Sequence, residues 1–140
     1  MSQYSRSGPS FDWKGPEIGR LLEAVRKNKD ATNEQYRKQA TLDLRIFIEK
    51  FAKGLFKAQT GGTVSRRYED RNWGELKDLL KRCPKFDAND EPKFEDTHLF
   101  TSRHLHTDDR MPQPVPSSAQ INAHYMDMSE STPLVTHERR

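Results

Sequence analysis

The sequence has a single cysteine, Cys83, no apolar run longer than three residues, and none of the short motifs that mark common enzyme chemistries. One thiol forms no internal disulfide and builds no zinc site by itself, which fits a reducing compartment. The longest apolar run, Ile46-Phe47-Ile48, is far short of the roughly 20 residues that cross a bilayer. Met1 to Pro9 lacks the apolar core of a signal peptide, so the expected location is intracellular, with no membrane contact. A Gly-rich phosphate loop, a G-x-S-x-G elbow and an H-E-x-x-H pair are all missing, which weakens the case for an enzyme. Apolar residues are scarce too: 32% of 140, equal to the charged fraction, with a mean hydropathy of -1.04. Ordering each residue costs about 1–2 kcal/mol, so this composition predicts a small folded part with long disordered flanks.

What is present is unevenly placed. Lys14 to Arg82 holds 17 Lys and Arg against 10 Asp and Glu, an excess of +7, whereas Cys83 to Arg140 holds 6 against 10, or -4. A cationic middle favours a polyanionic partner such as nucleic acid, and an acidic tail moderates that attraction or binds something basic. The alternative is a well-solvated surface with no partner of its own. Beyond Pro84 no apolar period is sustained, and the stretch Met111-Pro112-Gln113-Pro114-Val115-Pro116-Ser117-Ser118 reads as disordered. Phe94, Leu99 and Phe100 amount to one short docking segment at most.

The middle carries a helical period. Ile18, Leu21, Leu22 and Val25 share one face of a short helix, with Pro16 suited to its first turn because the missing N–H is not needed there. Thr32 or Asn33 caps the next helix, and Glu34 and Gln35 suit its positive N-terminus. That second helix dominates: Tyr36, Ala40, Leu44, Phe47, Phe51, Leu55 and Ala58 follow spacings of 4, 4, 3, 4, 4 and 3, widened by Ile48 and Ala52. Opposite the stripe lie Arg37, Lys38, Arg45, Lys50, Lys53 and Lys57. Thr60-Gly61-Gly62 stops it, since glycine accepts the left-handed conformation of a helix end. Thr63-Val64-Ser65 has the character of a short β-bridge, and Glu69 or Asp70 opens a third helix with Trp73, Leu76, Leu79 and Leu80 on one face and Pro84 at its end.

Two short helices are too little to cover the long one. Phe47, Phe51, Leu55 and Phe56, with Leu44 and Ile48, crowd more than one side of the rod. At roughly 25 cal/mol per Å², leaving two or three of these exposed costs several kcal/mol, comparable to the whole stability of a small domain. The expectation is an obligate dimer in which these six residues form the interface.

The order of helices and the loop spacing resemble a known family. Gly19-Arg20-Leu21, Asp30-Ala31-Thr32, Phe47-Ile48-Glu49-Lys50-Phe51-Ala52-Lys53, Ala58-Gln59, Gly62-Thr63-Val64, Arg66-Arg67 and Asp70 make the segment from Pro16 to Phe86 similar to a histone fold of the NF-Y/CBF and archaeal-histone branch. Within that branch it most resembles the small histone-fold subunits of DNA polymerase epsilon and the chromatin accessibility complex. The resemblance implies an all-α histone fold of short, long and short helices, paired by a handshake with a second histone-fold protein. It divides the chain into a disordered arm 1–13, a histone-fold domain 14–86 and an acidic, mostly disordered tail 87–140. It also implies a nuclear, non-catalytic subunit that holds double-stranded DNA without base readout in a multi-subunit chromatin-remodelling or replication complex. In such a fold the two loops lie side by side, so Lys29, Thr63, Ser65, Arg66 and Arg67 would grip a phosphate and Arg20 would reach the adjacent groove.

Blander readings stand beside these. One of Arg66 and Arg67 could pair with Asp70 instead of DNA, and Lys50, Lys53 and Lys57 could be only the solvated back of a helix. His98, His104 and His106 lack the scaffold of a zinc site, so no metal or cofactor is expected. Cys83 has no base to activate it, and Glu95-Asp96 and Asp108-Asp109 lie where nothing excludes water, so no catalytic residue is assigned. Two other functions remain open: a histone-fold transcription-factor subunit, and a helical protein-protein adaptor with no nucleic-acid role.

Overall fold

The computed structural model describes residues 16–60, 73–84, 86–105 and 114–131. Among these residues there are five α-helices, one 3-10 turn and no strand: α1 Pro16–Asn28, α2 Glu34–Thr60, α3 Trp73–Lys81, the turn Ala88–Asp90, α4 Glu91–Leu105 and α5 Ser118–Ser131. The chain is all-α.

The first two helices form where local signals put them. The Asn33 side chain accepts a hydrogen bond from the Gln35 backbone N–H at 2.8 Å, satisfying a donor that the first turn of α2 leaves unpaired. Ile18, Leu22 and Val25 are buried on α1, with Leu21 packed at the margin. α2 has 27 residues, about 40 Å at 1.5 Å per residue. Its buried face holds Ala40, Leu44, Phe47, Ile48, Phe51, Ala52 and Leu55, while Tyr36, counted in the stripe, is 56% exposed. Lys50, late in α2, lies 3.3 Å from Glu17 at the start of α1, so the two helices run antiparallel. In α3, Leu76, Leu79 and Leu80 are buried as their spacing predicts. The expected opening of α3 at Glu69 or Asp70, the bridge at Thr63-Val64-Ser65 and the arm 1–13 lie outside the described residues.

The expected disordered tail is corrected: residues 87–131 include two further helices that complete the core. Asp87 accepts from the Asn89 N–H at 2.8 Å and opens the 3-10 turn that feeds α4. α4 runs antiparallel to α2, with Phe94 stacked on Phe51 at 5.4 Å and Ser102 hydrogen-bonded by Arg45 at 2.6 Å. α5 turns back along α4, where Thr97 faces His124 and Asp90 faces Ser131. The apolar period of α4 is weak because polar residues fill its buried positions: Thr97, His98 and Thr101 lie inside with Phe94 and Phe100. The hydroxyl of Thr101 donates back to the His98 carbonyl at 3.0 Å, so its burial leaves no donor unsatisfied. One contiguous core extends from Ile18 on α1 to Ile121 and Met128 on α5, so the packing continues across the expected domain boundary at residue 86.

Candidate nucleic-acid interface

This topology decides which of the basic residues can meet a ligand. The outer face of the α1–α2 hairpin has two stripes. On α1, Arg20 and Lys27 are exposed, two helical turns apart, with Ala24 between them. On α2, Lys50, Lys53 and Lys57 recur at intervals of three and four along one side, Lys50 and Lys57 exposed and Lys53 half-buried, and Lys38 is exposed nearer the N-terminus. Lys50 is paired with Glu17. Arg20, Lys27, Lys38, Lys53 and Lys57 have no ion-pair partner among the described residues.

The two arginines grouped with those lysines in the sequence point elsewhere. Arg37 donates from Nε to the Pro116 carbonyl at 3.0 Å and from Nη1 to the carbonyls of Ala31 and Thr32 at 2.8 and 3.0 Å. It ties the α1–α2 loop to the segment that enters α5. Arg45 spans Glu49 at 3.2 Å and Ser102 at 2.6 Å, joining α2 to α4. Periodicity alone does not separate these inward arginines from the outward lysines. The distinction depends on the carbonyls and hydroxyl that α4 and α5 bring to the guanidinium fork.

Of the residues assigned to a phosphate grip, Arg20 is exposed on α1, and Thr63, Ser65, Arg66 and Arg67 lie outside the described residues. Lys29 is engaged within the chain. Its side chain is only 13% exposed, its ammonium lies 3.1 Å from Asp30, and the ring of Tyr125 on α5 lies 5.6 Å below it. A cation over an aromatic face is held by the ring's quadrupole.

The residues assigned to a dimer interface are accounted for by this chain. Leu44, Phe47, Ile48, Phe51 and Leu55 are buried and Phe56 packs against the same core. The surplus that seemed to demand a second chain is covered by α4 and α5. Phe47, Phe51 and Phe94 form a continuous aromatic stack, closed by the edge of Phe86 against Phe94 at 5.4 Å.

His98 packs against Trp73, whereas His104 and His124 contact Phe100, so the tail histidines are directed to two separate environments. No three potential metal ligands cluster among the described residues. The Cys83 thiol is buried, donates to the Leu79 carbonyl at 3.2 Å, and is pushed up to about 11 by burial, so it stays protonated at neutral pH. Burial likewise raises the Asp43 carboxyl above its ordinary value, opposed by a hydrogen bond from the Gln39 amide at 3.0 Å. Among the described residues no helix is long and apolar enough to cross a membrane.

No family model matches the chain, and neither the curated proteins nor the solved structures contain a match to it.

Proposed function

We propose that the chain is a non-catalytic helical module that binds double-stranded DNA through its phosphates, without base readout, as a subunit of a nuclear chromatin or replication assembly. The carrying observation is the outer face of the α1–α2 hairpin, where Arg20, Lys27, Lys38, Lys53 and Lys57 have no ion-pair partner among the described residues. Lysine is a compact point charge that meets a phosphate without demanding a base edge, so four lysines to one arginine favour backbone contact over sequence reading. The line from Lys50 to Lys57 extends over about 10 Å of helix, a length along which duplex DNA carries roughly six negative charges. Thr63, Ser65, Arg66 and Arg67, which the resemblance assigns to a phosphate contact, lie outside the described residues.

The finer reading is a histone fold that pairs with a second histone-fold protein. It is supported by the residue resemblance and by α1, α2 and α3 having 13, 27 and 9 residues in that order. Such a partner would meet α2 by displacing α4 and α5, which lie on its apolar face. The adaptor reading is favoured by a different observation: Leu42, Leu99 and Met126 are large apolar residues left exposed.

Fluorescence anisotropy with a duplex of random sequence separates these. Binding should weaken with salt at a logarithmic slope of about -0.9 per phosphate contacted, so about -4 for four to five contacts. Lys53→Glu with Lys57→Glu should lower affinity at least tenfold, and by the same factor on unrelated duplexes. An affinity indifferent to salt and to the double reversal would eliminate DNA binding by this face and leave the adaptor.

A further inference from the structure

α5 is fastened to α4 by a cluster that the DNA-binding reading does not use. Phe100 is held between two imidazoles, His124 of α5 stacked on one side at 4.2 Å and 20°, and His104 of α4 tilted against it at 4.9 Å. Nδ1 of His124 lies 2.9 Å from the hydroxyl of Thr97, and Nδ1–H of His104 donates to the carbonyl of Pro114 at 3.0 Å, just before α5 begins. His124 is half-buried, so its ring is wedged between the helices and is not a surface group.

We propose that α5 is a pH-released helix: it docks on α4 while His124 is neutral and detaches when that imidazole takes up a proton.

The physical reason is the site's shortage of water. A proton on His124 places a charge in a half-buried site between two helices, where it loses more in hydration than the face of Phe100 returns. Burial is the main influence holding His124 below its ordinary value of 6.5, and Arg103 and His104 on α4 act in the same direction. Asp127 on α5 and Asp96 on α4 oppose them without prevailing. From the other elements packed on α5, Arg26 and Lys29 act on Tyr125, Arg37 holds Pro116, and the carboxylates are Asp30, paired with Lys29, and Asp90, which accepts from Ser131 at the far end of the helix. The docked helix therefore binds fewer protons than the released one. Docking is at full strength above 6.5 and declines as pH falls below it toward the value in the docked state.

Release would be local. α5 contributes Ile121, Met128 and part of Tyr125 to the core, whereas α1 to α4 hold the aromatic stack of Phe47, Phe51 and Phe94 among themselves. Opening of one helix against the rest of a core costs less than unfolding the whole. Its withdrawal takes the Tyr125 ring away from Lys29.

Hydrogen exchange on the full chain tests the device. Protection factors, corrected for intrinsic exchange at each pH, should fall several-fold for α5 amides between pH 7.5 and pH 5.5 while those in the middle of α2 hold. In His124→Asn, whose uncharged amide stands at the place of Nδ1 and can keep the bond to Thr97, the α5 protection should be the same at both pH values. Equal α5 protection in the unaltered chain at the two pH values overturns the proposal, as does a variant that keeps the full pH dependence. Should the variant fail to fold, an NMR titration of the His124 ring in the unaltered chain decides: a midpoint below 6.5 supports the device and one at or above 6.5 overturns it. DNA affinity enters neither readout, so failure here leaves the DNA-binding reading standing, and the reverse holds too.

Discussion

Arg37 ties the loop just before α2 to a segment 79 positions further along the chain. Its guanidinium satisfies carbonyls of Ala31 and Thr32 in one loop and of Pro116 in the lead to α5, and its side chain is 16% exposed. Hydrogen bonds to a charged donor are worth about 1.5–3 kcal/mol each, and removing the donor leaves acceptors unpaired. Arg37→Met should therefore cost roughly 2–4 kcal/mol in a urea titration, the larger values of that range requiring that more than one acceptor be stranded. Arg37→Lys should recover little, because a single ammonium on a flexible stem cannot span carbonyls presented to a planar fork. A loss under 0.5 kcal/mol in the Met variant would show that the bridge is not made in solution. Nothing in the sequence sets Arg37 apart from Lys38 beside it. Both stand opposite the apolar stripe, and only the arrival of residue 116 gives one of them a structural task.

The helices themselves were unequally readable, and the reason differs for each. α1 and α2 have caps and apolar periods that act over a few residues, so Asn33 at the start of α2 and Val25 near the end of α1 are where local physics places them. α4 was hidden because Thr97, His98 and Thr101 stand where a hydrophobic pattern would have shown itself. α5 has Ile121, Tyr125 and Met128 at intervals of four and three, only three positions of period, after a proline-rich lead. Its start is nonetheless a capping box: the Ser117 hydroxyl accepts from the Gln120 N–H at 3.2 Å, and the Gln120 side chain accepts from the Ser117 N–H at 2.9 Å. Ser117→Ala should cost about 1 kcal/mol, seen as faster exchange confined to α5, with Ser117→Asp close to the unaltered chain because a carboxylate also caps. Equal exchange in Ser117→Ala would mean that the cap does not limit the opening of α5.

At the scale of the molecule, the sharpest consequence is that α2 is covered by its own chain. A chain ended at residue 86 loses Phe94 from the stack on Phe51 and strips Ile121 and Met128 from the core. Each large apolar side chain so exposed gives up about 1.5–3 kcal/mol, which for several of them exceeds the reserve of a small domain. The truncated chain should therefore aggregate or melt without cooperativity, whereas the full chain unfolds cooperatively with no partner added. A truncated form that folds alone, or a full chain that folds only with a second protein, would contradict this arrangement. Of the proposed DNA face, the line Lys50, Lys53 and Lys57 is visible in the sequence as spacing, but which of its cations are engaged is not. Which cations stay free depends on where Glu17 comes to rest, and on Tyr125 and Asp30 taking Lys29 out of use.

By itself the sequence determined the all-helical character, the limits of α1, the start of α2 and the apolar side of each. These follow from hydrogen bonds and steric preferences among residues a few positions apart, and they operate before anything else has folded. What covers α2 was decided only by tertiary structure. An apolar face attracts whatever apolar surface is nearest, and its own residues carry no record of whether that surface lies on another chain or fifty positions further along this one. The same holds for charge: Lys29 and Lys53 are alike as residues, and only the folding-back of α5 engages one against a tyrosine while the other has no ion-pair partner among the described residues.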